Sequence, residues 1–100
     1  MRVTIDFSQL HSPESPAAQK EIHALLKSAL PFPDYYGCNL DALFDLLCEP
    51  HEMWDISFIH CRRLWQEKAL YMEQLREVFR DAAAEGAAVC SQWYTDGIPQ

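Results

Sequence analysis

Only three of the one hundred residues are glycine, and they never cluster. A Gly-rich loop that wraps backbone amides round a phosphate is therefore absent. Cations are scarce as well: eight Lys and Arg stand against fifteen Asp and Glu, for a formal net charge of -7. Direct binding to nucleic acid runs on Lys and Arg meeting phosphates, so that function class is disfavoured. No Lys or Arg at all occurs between Lys27 and Arg62. The opening MRVTIDF lacks the apolar stretch of a signal peptide, and no later apolar run is long enough to span a bilayer. The four cysteines, Cys38, Cys48, Cys61 and Cys90, show no zinc-type spacing with histidine. The expectation is a cytoplasmic chain with reduced thiols, no membrane association, no metal and no cofactor.

What is present is unevenly placed. The cation-free span holds Asp34, Asp41, Asp45, Glu49, Glu52 and Asp55, an all-acidic middle beside a mixed remainder. Such a charge fits either a basic partner or plain solubility. The length fits one domain with a real core. It is expected over residues 1–94, with 95–100 as a flexible polar tail.

Periodicity yields alternating strands and helices. Val3, Ile5 and Phe7 alternate with polar residues, as in a strand. Ile22, Leu25, Leu26, Ala29 and Leu30 recur at helical spacing, predicting a helix over about 16–30 that starts at Ser15-Pro16 and ends before Pro31 and Pro33. His23 falls on that helix as an exposed residue without a role. Leu40, Leu43, Phe44 and Leu47 form the apolar stripe of a second helix, with Phe44 at its border with the face of Asp41, Asp45 and Cys48, Asn39 as N-cap and Asp41 in the first turn. Trp54 to His60 reads as a strand buried on both faces. A short helical turn near Leu64 and Trp65 precedes a long helix carrying Tyr71, Leu75, Val78, Phe79 and Ala82, which Gly86 stops. Ala88 to Tyr94 is the last strand. Alternating elements with long crossovers imply an α/β fold with a small parallel sheet and packed helices.

The stretch PFPDYYGCNLDALFDLLC, from Pro31 to Cys48, is the candidate working surface. Gly37 is expected to set the bend that presents Tyr35 and Tyr36. Two adjacent tyrosines in a loop rarely both face inward, and exposed tyrosine beside carboxylates has the composition of a binding hot spot. Packing of the pair is the alternative. Asp41 and Asp45 are like charges one helical turn apart, which costs about 0.2–0.5 kcal/mol. A cationic surface docking there would offset that cost. Catalysis by the pair is disfavoured because both lie on a solvated helix face, with nothing in the sequence to make one an acid and the other a base. A hydrolase using Cys38 and a histidine is a weaker rival, supported only by residue type.

Tyr35-Tyr36-Gly37-Cys38-Asn39-Leu40-Asp41-Ala42-Leu43-Phe44-Asp45 closely resembles the central motif of the barstar family of intracellular ribonuclease inhibitors, Y-Y-G-x-N-L-D-A-L-W-D. Val78-Phe79-Arg80-Asp81-Ala82-Ala83-Ala84-Glu85-Gly86 is similar to the family's last helix. The resemblance runs to Tyr94. It implies a three-stranded parallel sheet packed against about four helices. It also implies a non-enzymatic protein, monomeric when free, that inhibits a small basic ribonuclease as an immunity or antitoxin protein. By motif position, Tyr35 would stack on a catalytic histidine of the enzyme. Asp45 would enter the phosphate pocket and meet its arginines and histidine. Asp41 and Phe44 would flank Asp45, and Asp81 would reach a basic loop. The partner surface expected on this basis comprises Tyr35, Tyr36, Gly37, Asn39, Leu40, Asp41, Phe44, Asp45, Cys48, Glu49 and Asp81. The departures are Phe44 for the usual Trp, which removes an indole donor, Glu49-Pro50 for a small and aromatic pair, and a shorter segment before the last helix. A different target, a basic regulatory or toxin domain without nuclease activity, stays open on the residues alone.

Overall fold

The computed structural model describes residues 1–98. Strand β1 (Arg2–Asp6) runs into a 3-10 turn (Phe7–Gln9), followed by α1 (Ala18–Ala29) and α2 (Leu40–Cys48). Strand β2 (Trp54–Ile59), α3 (Arg62–Glu67), α4 (Ala69–Ala84) and β3 (Val89–Trp93) complete the order. All strands are parallel, and β2 lies between the other two. The expected α/β architecture of three parallel strands and four helices is what forms.

The register explains where the core sits. Ile5 lies beside Phe58, Val3 beside Ile56, Trp54 beside Val89 and Phe58 beside Trp93. In a parallel sheet such neighbours share a face, and this is the face that the helices cover. Phe58 is its hub: Phe7 stacks on it at 5.5 Å, Trp93 at 3.9 Å, and Phe79 of α4 meets it edge-on at 5.3 Å. Burying a side chain of that size stabilises the fold by about 1.5–3 kcal/mol.

The opposite face corrects the expectation that β2 is buried on both sides. Trp54, Ile56 and Phe58 are buried, whereas Asp55, Ser57 and Ile59 are only half-buried. Beside them stand exposed Thr4 and Cys90 and half-buried Gln92. The alternate positions are mostly polar and satisfy one another: Ser57 Oγ donates to Gln92 Oε1 at 3.2 Å, and Arg2 approaches Asp55 at 3.9 Å. The helices therefore pack on one side only.

Two boundaries also move. Helix α1 begins at Ala18 rather than near Pro16, because the Ser15 hydroxyl accepts from the Ala17 amide and holds a turn there instead. The segment after β3 does not trail free at its start. The His60 amide donates to the Asp96 carbonyl at 2.8 Å, and the Arg62 guanidinium grips both Asp96 carboxylate oxygens. Residues 99–100 of the expected tail lie outside the described residues. Gly86, with φ +97, takes the left-handed angle that stops α4, as the sequence predicts. Among the described residues, no helix is long and apolar enough to cross a membrane.

Candidate functional site

The loop between α1 and α2 splits its tyrosines. The prolines deny it regular structure, so it is held by single contacts. The Tyr36 amide donates to the Pro33 carbonyl at 3.0 Å, and Lys27 Nζ donates to the Asp34 carbonyl at 3.1 Å. Tyr35 is 83% exposed, whereas Tyr36 is 6% exposed. The Tyr36 ring packs on Phe32 at 4.9 Å, and Phe32 in turn on Trp54 at 6.0 Å.

Beneath the loop lies His23, corrected from an exposed helix residue to one only 1% exposed. Its Nδ1 is 2.5 Å from the Tyr36 hydroxyl and its Nε2 is 2.5 Å from the Tyr71 hydroxyl on α4. A neutral imidazole has one donor and one acceptor. Tyr36 is buried with no other polar partner for its hydroxyl among the described residues, so its O–H must donate to Nδ1. Nε2–H then donates to Tyr71, which is half-buried and can still reach water. Burial pulls the His23 pKa down from 6.5 to about 4. It also pushes the Tyr36 phenol well up, with Cys38 and Tyr71 adding to the shift.

The bend after Tyr36 is made differently from expectation. The left-handed residue is Cys38, at φ 54, not Gly37. What Gly37 supplies is room: an added Cβ would stand 3.1 Å from Asn39 Nδ2, which donates to the Gly37 carbonyl. Asn39 Oδ1 accepts from the Ala42 amide at 2.8 Å, the N-cap bond the sequence predicts. Such a cap contributes about 1 kcal/mol.

Helix α2 buries Leu43, Leu46 and Leu47, with Leu40 and Phe44 at the half-buried margins. The predicted stripe omits Leu46, which is buried, while Phe44 lies at the border where the sequence places it and Leu40 packs against the core from the margin. Asp41 and Asp45 lie on the exposed face. Neither enters an ion pair among the described residues.

A second acidic pair stands alongside. Asp81 and Glu85 sit at the C-terminal end of α4, which packs against α2. Asp45 and Glu49 occupy the corresponding end of α2. All four are exposed, and neither helix has a basic residue in its last turn. Carboxylates at the negative end of a helix oppose its dipole. The two ends meet at a cleft of about 450 Å³ lined by Phe44, Cys48, Glu85, Gly86 and Ala87. Burial first, then the charges of Glu85 and Asp45, push the Cys48 thiol pKa up. Cys48 of α2 and Glu85 at the end of α4 thus line the same cleft.

The structure brings Tyr35, Asn39, Asp41, Phe44, Asp45, Cys48 and Glu49 onto the loop and α2, with Asp81 on the adjoining helix. Gly37 and Leu40 support that surface. Tyr36 is a correction to the expected partner surface, since its side chain belongs to the core. Glu85 was missed, although it lies one turn beyond Asp81. His51 was missed too: its ring nitrogens lie 2.9 Å from the Leu47 carbonyl and 2.6 Å from the Glu52 carbonyl. It closes the end of α2 while stacking on Trp54 at 3.5 Å.

Other chemistries find less support. The Cys38 thiol is exposed and points at the Tyr36 carbonyl, 3.7 Å away, while the histidine under that loop already holds two tyrosines. Among the described residues, no three His, Cys, Asp or Glu side chains gather as a metal site would need. The site is an exposed acidic ridge on the ends of α2 and α4, with an exposed tyrosine on the loop that precedes α2. Compared with protein-family models, residues 2–94 match the one described as Barstar (barnase inhibitor).

Proposed function

From the premise that the chain belongs to the barstar (barnase inhibitor) family, we propose that it plugs the active site of a small basic ribonuclease with Tyr35 and the α2–α4 acidic ridge. Proteins of this family are inhibitors, so the chain is not an enzyme. The finer reading makes it a cytoplasmic immunity protein, monomeric when free, that protects its cell from a barnase-like enzyme or a toxin domain of that kind.

The observation that carries this reading is the absence of internal counter-ions for Asp41, Asp45, Glu49, Asp81 and Glu85 among the described residues. Elsewhere some acids do find internal cations, as Asp96 does in Arg62 and Glu14 in Arg63, and the cations that remain among the described residues are not spent on the ridge. A ribonuclease cleft offers arginine, lysine and histidine arranged for phosphates. The carboxylates of α2 can replace phosphate oxygens there, held by charge-assisted hydrogen bonds. The fixed negative field also speeds encounter with a basic partner. Tyr35, already exposed and free of internal packing, supplies the large rigid contact typical of a hot spot.

The test is an activity titration of a barnase-type ribonuclease with the purified chain. Inhibition saturating at one chain per enzyme is expected. Tight binding that leaves RNA cleavage intact would instead favour the rival, an acidic module for a basic non-nuclease partner.

A further inference from the structure

We propose that His23 is a positioning residue for the inhibitory surface: through the Tyr36 hydroxyl it sets the pose of Tyr35, while Tyr71 ties the same imidazole to the acidic helix α4. The inference rests on the ribonuclease-inhibitor reading above and adds to it a residue that touches no partner.

The loop from Pro31 to Asn39 has few anchors. Its backbone makes no strand pairing, and of its side chains only Tyr36 is fully buried. That side chain reaches a single polar partner among the described residues, His23 Nδ1. Tyr35 is the next residue along and has no packing of its own to hold it. Whatever fixes Tyr36 therefore fixes the backbone that aims Tyr35. The proton assignment makes the bond directional: Tyr36 O–H donates to Nδ1, and Nε2–H donates to the Tyr71 oxygen. One imidazole thus joins α1, the loop and α4. Those last two carry the tyrosine and the second carboxylate pair of the ridge. A helix–loop contact made only of apolar groups would resist separation but not fix rotation. A hydrogen bond at each end of a planar ring fixes both.

The geometry also separates the two bonds. An Asn amide oxygen can stand where Nδ1 stands, whereas a Gln amide reaches the place of Nε2. His23→Asn therefore keeps an acceptor for Tyr36 and gives up Tyr71; His23→Gln does the reverse.

The experiment measures dissociation rates of the full-length chain from a barnase-type ribonuclease, with Asp45→Ala alongside. Dissociation is expected to speed up about tenfold in His23→Gln and in Tyr36→Phe, but to stay within about threefold of wild type in His23→Asn, on the scale of measured side-chain couplings. Combined with Tyr35→Ala, the effect of Tyr36→Phe should largely vanish; combined with Asp45→Ala it should persist in full. A structural role alone would make all the combinations additive and would give Asn and Gln the same effect, and either result overturns the proposal. Should the histidine variants not fold, Tyr36→Phe, which removes one hydroxyl, decides the matter with the same two combinations. If the wild-type chain does not bind the ribonuclease at all, the reading of the site fails and the positioning role falls with it. Wild-type binding with additive combinations overturns the positioning role alone.

Discussion

Tyr35 and Tyr36 are the same residue type in adjacent positions, and they meet opposite fates. Tyr35 stands 83% exposed on the loop before the acidic ridge, while Tyr36 is 6% exposed and spends its hydroxyl on His23. The contrast extends to everything around them. Above the loop, Asp41 and Asp45 have no ion-pair partner among the described residues. Below it, no buried side-chain nitrogen or oxygen among the described residues lacks a hydrogen-bond partner. Unsatisfied groups outside and satisfied groups inside, within one short segment, are what an inhibitor requires. The underside must be rigid at all times, and the upper side must keep its bonding capacity for the enzyme. Disturbing the underside should therefore show first in stability, and disturbing the upper side in binding.

Acid is the strongest way to break the underside. His23 is neutral in the folded chain, with its pKa near 4 against 6.5 when free of the fold. Between those values the unfolded chain binds a proton that the folded chain refuses, so stability falls as pH falls. The contribution is complete above about pH 6.5. At about 1.36 kcal/mol per unit, on the order of 3 kcal/mol is lost by pH 4. Urea midpoints measured at pH 7 and pH 4 should show the drop in wild type and a clearly smaller one in His23→Asn. Equal drops in the two proteins would mean that other groups carry the acid sensitivity, Asp6 among them, where burial pushes the carboxyl up but the Ser8 bonds and the His60 charge together outweigh it and hold it low.

The upper side breaks at Asp45. Replacing it with alanine should weaken binding to a basic ribonuclease by at least ~2 kcal/mol, the level of a hot spot, and should leave the thermal midpoint of the free chain almost unchanged. Isothermal titration and differential scanning calorimetry on one preparation measure both. A loss of only a few-fold in affinity would contradict the role given to this carboxylate. Salt should act in the same direction through the rate of encounter. Because exposed charges are screened beyond about 8 Å at physiological ionic strength, association should slow markedly between low and high salt. A flat stopped-flow rate across that range would remove steering from the mechanism.

The two sides also differed in how far they could be read from sequence. The ridge was legible because its determinants are local. Asn39 caps at a fixed spacing, and carboxylates one turn apart share a face wherever the helix docks. The alternation of strands and helices along the chain and the Gly86 stop follow from equally local signals. The underside was not legible. His23 and Tyr71 are far apart in sequence, and no spacing rule connects α1 to α4 across a loop. Gly37 misled for a related reason. A glycine in a bend suggests a left-handed angle, but here Cys38 takes that angle and Gly37 clears space for Asn39 Nδ2. The sheet was read as covered on both sides because Trp54, Ile56, Phe58 and Ile59 dominate β2. Asp55 and Ser57 between them were the signal for an open face.

The smallest expected effect separates the two sides most cleanly, because it carries opposite signs. In the free chain Asp45 is unfavourable twice over: it repels Asp41 one turn away, and it sits in the last turn of α2, where the dipole is negative. Asp45→Asn keeps the shape and removes both penalties, so the free protein should gain about 0.5 kcal/mol, the sum of two small surface terms. The same change removes a charge from the ridge and should weaken binding well beyond that gain. Urea unfolding of the free chain, compared with ribonuclease affinity on the same variant, gives both signs. A residue retained for packing would lose stability on substitution, so a destabilised Asp45→Asn would place Asp45 with Tyr36 rather than with Tyr35. The opposite signs would show that the free chain tolerates a strained helix end whose charges only a partner can neutralise.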